Sequence, residues 1–432
     1  MLFTIFTLGC KVNTYESDAV RELFLKEKWR EAKVGETPDL VIVNTCTVTG
    51  MAAKKSRQHI RKFRNAHPRA LIAVMGCYSQ QEGAAVVAEC GADLVLGTSK
   101  RNEILNYVNE ALMRRVPRVE IDAEPRHFAY EEIATLFQPM TSRAFVKVQD
   151  GCDNFCSYCV IPYVRGKSRS RKPQDVIKEI KALIDNGYRE IVITGIHTGG
   201  YGKDLPNYSF SRLIREIIEA TPNLYRLRIS SIEATEIDDD FIALLAAHDN
   251  IAHHLHIPLQ SGSEGVLRRM NRRYHLEDYM RTIEKIRAAQ PLIALTTDVI
   301  VGFPGETEEE FQETYDFIEA MAFSELHVFP FSHREHTVAA SLPNQVDDAI
   351  KKQRGERLLR LSDRLHEKYQ ALFKGRVLEV IFEDYDAMSK TYRGHASNYL
   401  EVRVQSPIDV AGKVFSVAYR GPDESAINSE VF

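Results

Sequence analysis

Three cysteines lie close together in the run GCDNFCSYC, where Cys152, Cys156 and Cys159 follow the pattern C-x3-C-x2-C. We call them the clustered trio, because thiolates at this spacing can wrap around one metal centre. A structural zinc site needs four ligands, yet no further Cys or His lies within the next 35 residues. An ordinary [4Fe–4S] cluster also takes four thiolates, so three leave one iron with an open position. The pattern favours an iron–sulfur cluster that can bind a substrate or cofactor, with zinc as the alternative.

A second set of cysteines, the dispersed trio, is spread along the first part of the chain. Cys10, Cys46 and Cys77 each follow directly after an apolar, strand-like run, in the contexts TLGC, VNTC and VMGC. Because the carboxyl ends of parallel strands share one edge of a sheet, where ligands bind, these side chains can converge on one point. A single cysteine is more often a small buried hydrophobe, and Cys90, in a helical pattern, is interpreted in that way.

The elements that would position the dispersed trio form a predicted α/β domain over residues 1–115. Short apolar runs separated by helical patterns indicate βα units around a parallel sheet. A proline-containing stretch, 116–141, is predicted to be a linker. The predicted strands are 2–8, 39–45, 70–76 and 93–96, and the predicted helices are 14–28, 49–66, 79–89 and 101–114.

The clustered trio follows the first strand of a second βα series, over residues 142–346. Six units in a row predict a partial (β/α)6 TIM-like barrel, whose active site is expected at the carboxyl ends of the strands. A long connecting helix, 347–374, leads to a small antiparallel β domain over 375–432. The predicted barrel strands are 144–150, 190–195, 224–230, 251–258, 293–301 and 325–331, with helices at 174–186, 209–220, 240–247, 276–289 and 307–321.

The charged residues are unevenly distributed along a chain of 432 residues with a net charge of −4. Basic clusters are the electrostatic footprint of a nucleic-acid binder, although each cluster could also be a solvated helix face. The seven cysteines and the absence of a basic leader segment favour a cytoplasmic protein without disulfides. No apolar run approaches the roughly 18 residues of a membrane helix. The basic runs are 54–69, 165–172, 268–273 and 351–376.

These motifs together resemble those of the radical S-adenosylmethionine methylthiotransferases. The resemblance rests on the clustered trio, on GCKVN at 9–13, NTC at 44–46 and GCYSQ at 76–80, and on the strings LHIPLQSGSEGVLRRMNRRY and DVIVGFPGETEEEF. It covers essentially the whole chain and implies a TRAM-like fold for the C-terminal domain. The form of the short strings is most similar to the branch that adds a methylthio group to carbon two of threonylcarbamoyladenosine next to the tRNA anticodon.

The resemblance implies a role for each trio and a set of cofactor contacts. The clustered trio would hold a [4Fe–4S] cluster that binds S-adenosylmethionine, and the dispersed trio a second [4Fe–4S] cluster that carries the transferred sulfur. Asp298 stands where the family's adenine-contact pattern has glycine. The residues expected to contact S-adenosylmethionine are Tyr158, Gly195, Ser231, Glu233, Gln260, Ile300 and Gly302.

The resemblance also implies partners and leaves alternatives open. The expected partners are a tRNA anticodon stem-loop and an electron donor such as flavodoxin or ferredoxin, with the protein acting as a monomer and without a membrane. One alternative is a sibling enzyme that acts on isopentenyladenosine in tRNA or on an aspartate of a ribosomal protein. A non-catalytic alternative is an iron–sulfur electron carrier or RNA-binding protein, against which the open iron positions argue, because simple electron-transfer clusters usually have four thiolates.

Overall fold

The computed structural model describes residues 1–114, 116–136 and 142–431. The first part of the chain forms a six-stranded parallel sheet. Its strands are β1 (Leu2–Thr7), β2 (Arg30–Glu31), β3 (Leu40–Thr45), β4 (Leu71–Gly76), β5 (Leu94–Leu96) and β6 (Arg118–Glu120), in the order β2-β1-β3-β4-β5-β6. Its helices are α1 (Lys11–Lys26), α2 (Gly50–Ala66), α3 (Cys77–Glu82), α4 (Ala85–Cys90) and α5 (Ile104–Arg114).

The central strands of this sheet are those that the apolar runs predict. All six residues of β3 and of β4 are buried, as expected for strands covered by helices on both faces. The sequence missed the two edge strands, β2 and β6, which are short and carry charged side chains. Strand β6 lies in the segment that was predicted to be a linker, and residues 137–141 of that segment lie outside the described residues.

The second βα series forms an open barrel, as predicted. Its strands are β7 (Arg143–Asp150), β8 (Arg169–Ser170), β9 (Glu190–Gly195), β10 (Arg226–Ile229), β11 (His254–His256), β12 (Ala294–Val301) and β13 (Glu325–Pro330). Its helices are α6 (Ile161–Val164), α7 (Pro173–Asp185), α8 (Phe210–Ala220), α9 (Asp239–Ala247), α10 (Glu264–Arg269), α11 (Leu276–Ala289) and α12 (Glu308–Met321). The sheets β8-β7-β9-β10 and β11-β12-β13 adjoin through a parallel bridge between Leu227 and Ile251. Six parallel strands thus curve around one interior, and only the short β8 is antiparallel.

Alternation along the barrel strands separates an apolar outer face from a polar interior. On β7, Ala144, Val146 and Val148 belong to the buried apolar core that includes residues of α7 and α8. Because successive side chains of a strand point to opposite faces, Arg143 and Lys147 face the interior. The interior of this barrel is therefore lined by polar and charged side chains, which can contact a ligand or one another.

A long helix and a five-stranded antiparallel sheet complete the chain. The helix is α13 (Asp348–Ala371), and the strands are β14 (Val377–Asp386), β15 (Thr391–Ala396), β16 (Glu401–Val404), β17 (Val414–Ala418) and β18 (Ala426–Glu430). The turn between β15 and β16 reaches the barrel, where Arg143 donates a hydrogen bond of 2.8 Å to the hydroxyl of Tyr399. The guanidinium of Arg228 also lies 4.3 Å from the centre of the Tyr399 ring. Among the described residues, no helix has the length and apolarity needed to cross a membrane.

Candidate metal and cofactor sites

The clustered trio lies in a loop that begins where β7 ends. The backbone N–H of Cys152 donates to the carbonyl of Gly166 at 3.0 Å, and that of Ser157 donates to the carbonyl of Met270 at 3.0 Å. Around the second anchor the chain turns tightly, with a bond of 2.9 Å from the N–H of Cys159 to the carbonyl of Cys156. Long-range backbone contacts therefore fix the start of the loop and Ser157 within it, and the thiols of one short segment are held together.

An arginine and a glutamate lie beside the middle cysteine of this loop. Arg272 donates to the sulfur of Cys156 at 3.4 Å and to Glu233 at 3.1 Å, and it stacks on the ring of Tyr274. Its Nε and Nη2 atoms are buried and have no hydrogen-bond partner among the described residues. A buried guanidinium with unused donors is costly unless a ligand satisfies it. These residues line a cavity of about 130 Å³ next to Cys156, and that cavity suits an anionic group.

A histidine completes the polar side of the same site. His197 forms an ion pair of 2.8 Å with Glu236, and Asn154 lies between the His197 ring and Glu233 at 3.3 Å from each. Burial disfavours the charged ring, but hydrogen bonds to Cys152 and Glu236 outweigh it and raise the pKa of His197 to about 10. The loop thus meets cationic groups at both Cys152 and Cys156, which stabilise thiolates.

The structure brings some of the expected cofactor contacts to this loop. Tyr158 packs against Phe303 with the ring centres 6.5 Å apart, and Ile300 packs in the same apolar cluster. Glu233 contacts the cavity through Arg272, as described above. Gly195 ends β9 beside Gln149, where an added Cβ would lie 3.0 Å from the Gln149 side-chain oxygen.

The remaining expected contacts lie at the ends of the later strands. Ser231 is partly exposed after β10. Gln260 bridges to β12, since its N–H donates to the carbonyl of Asp298 at 2.8 Å and its carbonyl accepts from Ile300 at 2.9 Å. Gly302 lies against α13, where an added Cβ would be 2.3 Å from Cγ of Lys351. The positive φ of +69° at Gly302 and the packing of the Lys351 side chain against it account for glycine at that position.

The dispersed trio meets at the carboxyl edge of the N-terminal sheet. Cys10 follows β1 by three residues, Cys46 follows β3 directly, and Cys77 follows β4 directly. Gly9, at φ +109°, passes so close that an added Cβ would lie 3.2 Å from the sulfur of Cys46. Gly76, at φ +106°, would place a Cβ 2.5 Å from the carbonyl of Thr45. Glycine before two of the cysteines thus lets the three chain segments approach one another.

The thiols of the dispersed trio differ in exposure and protonation. Cys10 is exposed, whereas Cys46 and Cys77 are buried. Burial raises the pKa of Cys46, and it raises that of Cys77 to about 12 although Arg165 opposes the shift. Cys90 is buried in the apolar core behind the sheet, as its structural interpretation predicted. Two inward thiols and one at the surface form a donor set that a cluster could enter from the exposed side.

Arg165 connects this site with the barrel. Its Nε donates to the sulfur of Cys77 at 3.2 Å, and its Nη2 donates to the side-chain oxygen of Asn13 at 2.8 Å. Its Nη1 reaches Glu16 at 2.9 Å and Asp150, at the end of β7, at 3.0 Å. One fully buried side chain therefore bonds to a cysteine of the first domain and to the strand that precedes the clustered trio.

Arg165 belongs to a larger buried ionic network between the two domains. Lys147 lies 2.7 Å from Glu16 and 2.6 Å from Asp150, and Arg101 lies 3.3 Å from Glu16. Burial disfavours the Glu16 carboxylate, but Arg101, Arg165 and Lys147 outweigh it and lower its pKa to about 2. Removing one member would leave an uncompensated buried charge, so the network fixes the relative placement of the two cysteine sites.

The barrel interior contains a further polar group that the sequence did not indicate. His256, Asp298 and His327 place one ligand atom each within 4.8 Å of one another. Burial opposes ionisation of Asp298, but hydrogen bonds from the two histidines hold its pKa below its usual range. Asp298, which stands where the family pattern has glycine, thus bonds to His256 of β11 and His327 of β13.

The basic runs divide into surface and interior groups. On α2, Lys54, Lys55, Arg61 and Lys62 are exposed, in agreement with a patch that could contact an acidic partner. The run 165–172 differs, because Arg165, Arg169 and Arg171 are buried in ion pairs with carboxylates. The expectation that this run forms part of a nucleic-acid surface is therefore wrong for those three arginines.

Sequence reasoning missed the residues that link the sites rather than those that define them. Arg165 and Arg272 lie in the basic runs 165–172 and 268–273, which gave no sign that these side chains contact cysteines, and nothing in the sequence indicated His197. Arg165 had one available signal, its position in a run without acidic residues. A long run of cations directly after a cysteine loop could have indicated internal pairing instead of a surface patch.

Two regions of the chain, each containing one cysteine trio, match known protein families. Residues 146–318 match the Radical SAM superfamily, and residues 2–97 match a family described as Uncharacterized protein family UPF0004. The second match contains the dispersed trio, and the first contains the clustered trio.

Individual relatives extend this similarity over almost the whole chain. The chain is 44% identical to the threonylcarbamoyladenosine tRNA methylthiotransferase MtaB of Bacillus subtilis (strain 168), over 95% of this chain and 92% of the relative. It is 35% identical to the tRNA-2-methylthio-N(6)-dimethylallyladenosine synthase of Caldicellulosiruptor saccharolyticus, over 93% and 86%. Among solved structures, the radical S-adenosylmethionine methyltransferase TsrM of Kitasatospora setae has a TM-score of 0.59 and 17% identity, over 78% of this chain and 74% of that one. That likeness supports the fold.

Proposed function

The chain belongs to the radical S-adenosylmethionine methylthiotransferases that act on tRNA, and from this premise we propose that it adds a methylthio group to carbon two of threonylcarbamoyladenosine. The observation that carries the proposal is the pair of cysteine trios, each at the carboxyl ends of parallel strands and connected through Arg165. The higher identity to the relative named for threonylcarbamoyladenosine, 44% against 35%, favours this nucleoside over dimethylallyladenosine.

Each trio is proposed to hold one [4Fe–4S] cluster through three thiolates. The donor sets fit, since three sulfurs converge at each site and a cationic side chain lies against one sulfur of each, Arg272 at Cys156 and Arg165 at Cys77. A fourth protein thiolate is not available at either place, because the remaining cysteine, Cys90, is enclosed in the core of the first domain. Each cluster would therefore keep an iron open to an external ligand.

S-adenosylmethionine is proposed to bind beside the clustered trio. The unused donors of Arg272 fit its carboxylate, and Glu233 with Asn154 offers acceptors and donors for its polar groups. Tyr158 and Ile300 would supply the apolar wall, and Gly195, Ser231, Gln260 and Gly302 the strand ends around it. When bound, the reduced cluster and S-adenosylmethionine supply a radical able to abstract hydrogen from an unactivated C–H bond, which no side-chain acid or base can do near neutral pH.

The protein's own residues would position the reactants and exclude water. The ionic network of Glu16, Lys147, Asp150 and Arg165 fixes the first domain against β7, the strand that precedes the clustered trio. The exposed sulfur of Cys10 marks the side from which the base would approach the transferred sulfur. A fixed arrangement that excludes water raises the effective concentration of the reacting groups and prevents the loss of reactive species to solvent.

The proposed partners follow from the same surfaces. The exposed cations of α2 would contact the phosphates of a tRNA anticodon stem-loop. We propose that the protein works as a monomer in the cytoplasm, where tRNA is found. A small electron donor such as flavodoxin or ferredoxin would reduce the clusters.

Anaerobic reconstitution followed by turnover would test this function. Iron and sulfide are counted first, and an amount for two clusters per chain is expected. The enzyme is then incubated with reductant, S-adenosylmethionine and anticodon stem-loops bearing threonylcarbamoyladenosine, dimethylallyladenosine or adenosine. Mass spectrometry of the nucleosides should show a methylthio product from the first RNA. A methylthio product from the dimethylallyladenosine RNA alone would overturn the proposed substrate. Formation of 5′-deoxyadenosine without any methylthio product would overturn the proposed transfer.

A further inference from the structure

Two histidines and an aspartate meet on three neighbouring strands of the barrel. His256 lies on β11, Asp298 on β12 and His327 on β13. Asp298 and His327 are register partners, and His256 is the register partner of Thr296, two residues before Asp298. Because strands hold side chains more precisely than loops do, the pairing of the strands fixes this group of three.

The three side chains point to the barrel interior. Their chain neighbours Leu255, Val299 and Leu326 belong to the buried apolar core on the outer face of the strands. Because successive side chains of a strand alternate between its two faces, both histidines and the aspartate lie on the inner face. The side chain of His327 is 47% exposed and that of Asp298 is 29% exposed, so a solvated ion can reach the group.

The distances within the group match those between the ligands of one metal ion. Nε2 of His256 lies 3.3 Å from Oδ1 of Asp298, and Nδ1 of His327 lies 3.2 Å from the same oxygen. One ligand atom of each residue lies within 4.8 Å of the other two. Two ligands that are each about 2.0–2.2 Å from a metal lie roughly 2.8–3.6 Å apart at octahedral or tetrahedral angles. Small side-chain movements would therefore let the three atoms share one ion.

A threonine holds the ring of His256 in the orientation that a metal ligand needs. The Thr296 hydroxyl oxygen lies 2.9 Å from Nδ1 of His256 and 3.1 Å from Nε2 of His254. A hydroxyl can accept from one ring and donate to the other. When Nδ1–H of His256 donates to Thr296, the lone pair on Nε2 is directed towards Asp298. Metal-binding histidines are usually oriented in this way, through a hydrogen bond from the second ring nitrogen.

We propose that His256, Asp298 and His327 bind one divalent transition-metal ion, such as Zn²⁺ or Fe²⁺, in addition to the clusters proposed at the cysteine trios. Two imidazoles and one carboxylate are ligands that these ions accept. Three protein ligands leave coordination positions open to water or to another oxygen ligand in the barrel interior. The inference does not depend on the function proposed above. Hydrogen bonds from the two rings to the carboxylate would give the same contacts without an ion, and the test separates these states.

The test measures Mn²⁺ binding to the reconstituted protein by electron paramagnetic resonance, because the signal of free Mn²⁺ decreases on binding. Mn²⁺ is the weakest binder of the first-row series and prefers oxygen ligands, so it should not displace iron from the thiolates. Iron content and circular dichroism show that each variant is folded and loaded. The variants are Asp298→Asn, His327→Ala and Thr296→Val, and the control is His275→Ala, which removes an exposed histidine that pairs with Glu264 at 3.3 Å.

The wild type should bind one Mn²⁺ per chain, and an equal concentration of Zn²⁺ should displace it, since Zn²⁺ binds such sites more tightly. Asp298→Asn, His327→Ala and Thr296→Val should each weaken binding by about 10-fold or more, and His275→Ala should match the wild type. No Mn²⁺ on the wild type, or unchanged affinity in either Asp298→Asn or His327→Ala, would overturn the inference. Unchanged affinity in Thr296→Val would contradict the orienting role of that threonine. None of these measurements needs turnover, so their failure is distinct from a failure of the proposed function.

Discussion

The two cysteine sites differ in how the chain assembles them. The clustered trio comes from one loop of eight residues, Cys152 to Cys159, anchored by backbone bonds at Cys152 and at Ser157. The dispersed trio comes from three strand ends between residues 10 and 77, and one of its sulfurs contacts an arginine of the barrel. The first site is local and the second depends on the sheet and on the domain interface. Substitutions at the domain interface should therefore disturb the dispersed trio and leave the geometry of the clustered trio intact.

Exchanging one cysteine in each site should produce the largest effects and separate the two roles. Cys156→Ala removes a ligand of the clustered trio, so reductive cleavage of S-adenosylmethionine should fall to background. Cys46→Ala should keep that cleavage, because its site lies in another domain, and lose the methylthio product. The measurement is 5′-deoxyadenosine and modified nucleoside by mass spectrometry.

The matched control for this pair is Cys90→Ala, a buried cysteine behind the sheet. It should retain both activities and the full iron content. Normal cleavage by Cys156→Ala, or normal methylthio product from Cys46→Ala, would contradict the assignment of the corresponding site.

Removing the connection between the sites should have the next largest effect. Arg165→Met removes one cation of the buried network and breaks its pairs with Glu16 and Asp150, and breaking a buried pair typically costs about 3–5 kcal/mol. Thermal unfolding should shift to clearly lower temperature, and iron should be lost from the dispersed trio before the clustered trio. Lys167→Met, an exposed neighbour, is the control and should leave the melting temperature unchanged. Equal stability of the two variants would show that the network does not hold the domains together.

Changing the arginine beside the clustered trio should affect one site only. Arg272→Gln removes the cation with unused donors, so S-adenosylmethionine should bind about 10- to 100-fold more weakly. Equilibrium binding to the reconstituted protein is the measurement, and iron at the dispersed trio should be unchanged. The exposed Arg268→Gln serves as the comparison and should bind normally. Unaltered binding by Arg272→Gln would place the carboxylate elsewhere.

The smallest expected effect concerns the two kinds of basic run. Lys54→Gln with Lys62→Gln on α2 removes two exposed cations, which should lower the slope of the salt dependence of tRNA binding by roughly one unit for each phosphate that the protein no longer neutralises. Lys167→Gln, from the run whose arginines are internal, should change the slope less. A titration of affinity against salt concentration measures both, and equal slopes for all proteins would remove α2 from the RNA surface.

The sequence by itself determined the barrel strands, the central strands of the first sheet and the cysteines that follow them, because apolar periodicity and local spacing are properties of short segments. Only the tertiary structure decided the rest. The edge strand β6 has too few apolar residues for its sequence to predict a strand. The composition of the basic run 165–172 does not indicate that its arginines are buried. Arg165 meets Glu16 across 149 residues, and Arg272 meets Cys156 across 116. Charge pairing depends on which distant groups the fold brings within a few ångströms, so no local pattern contains it.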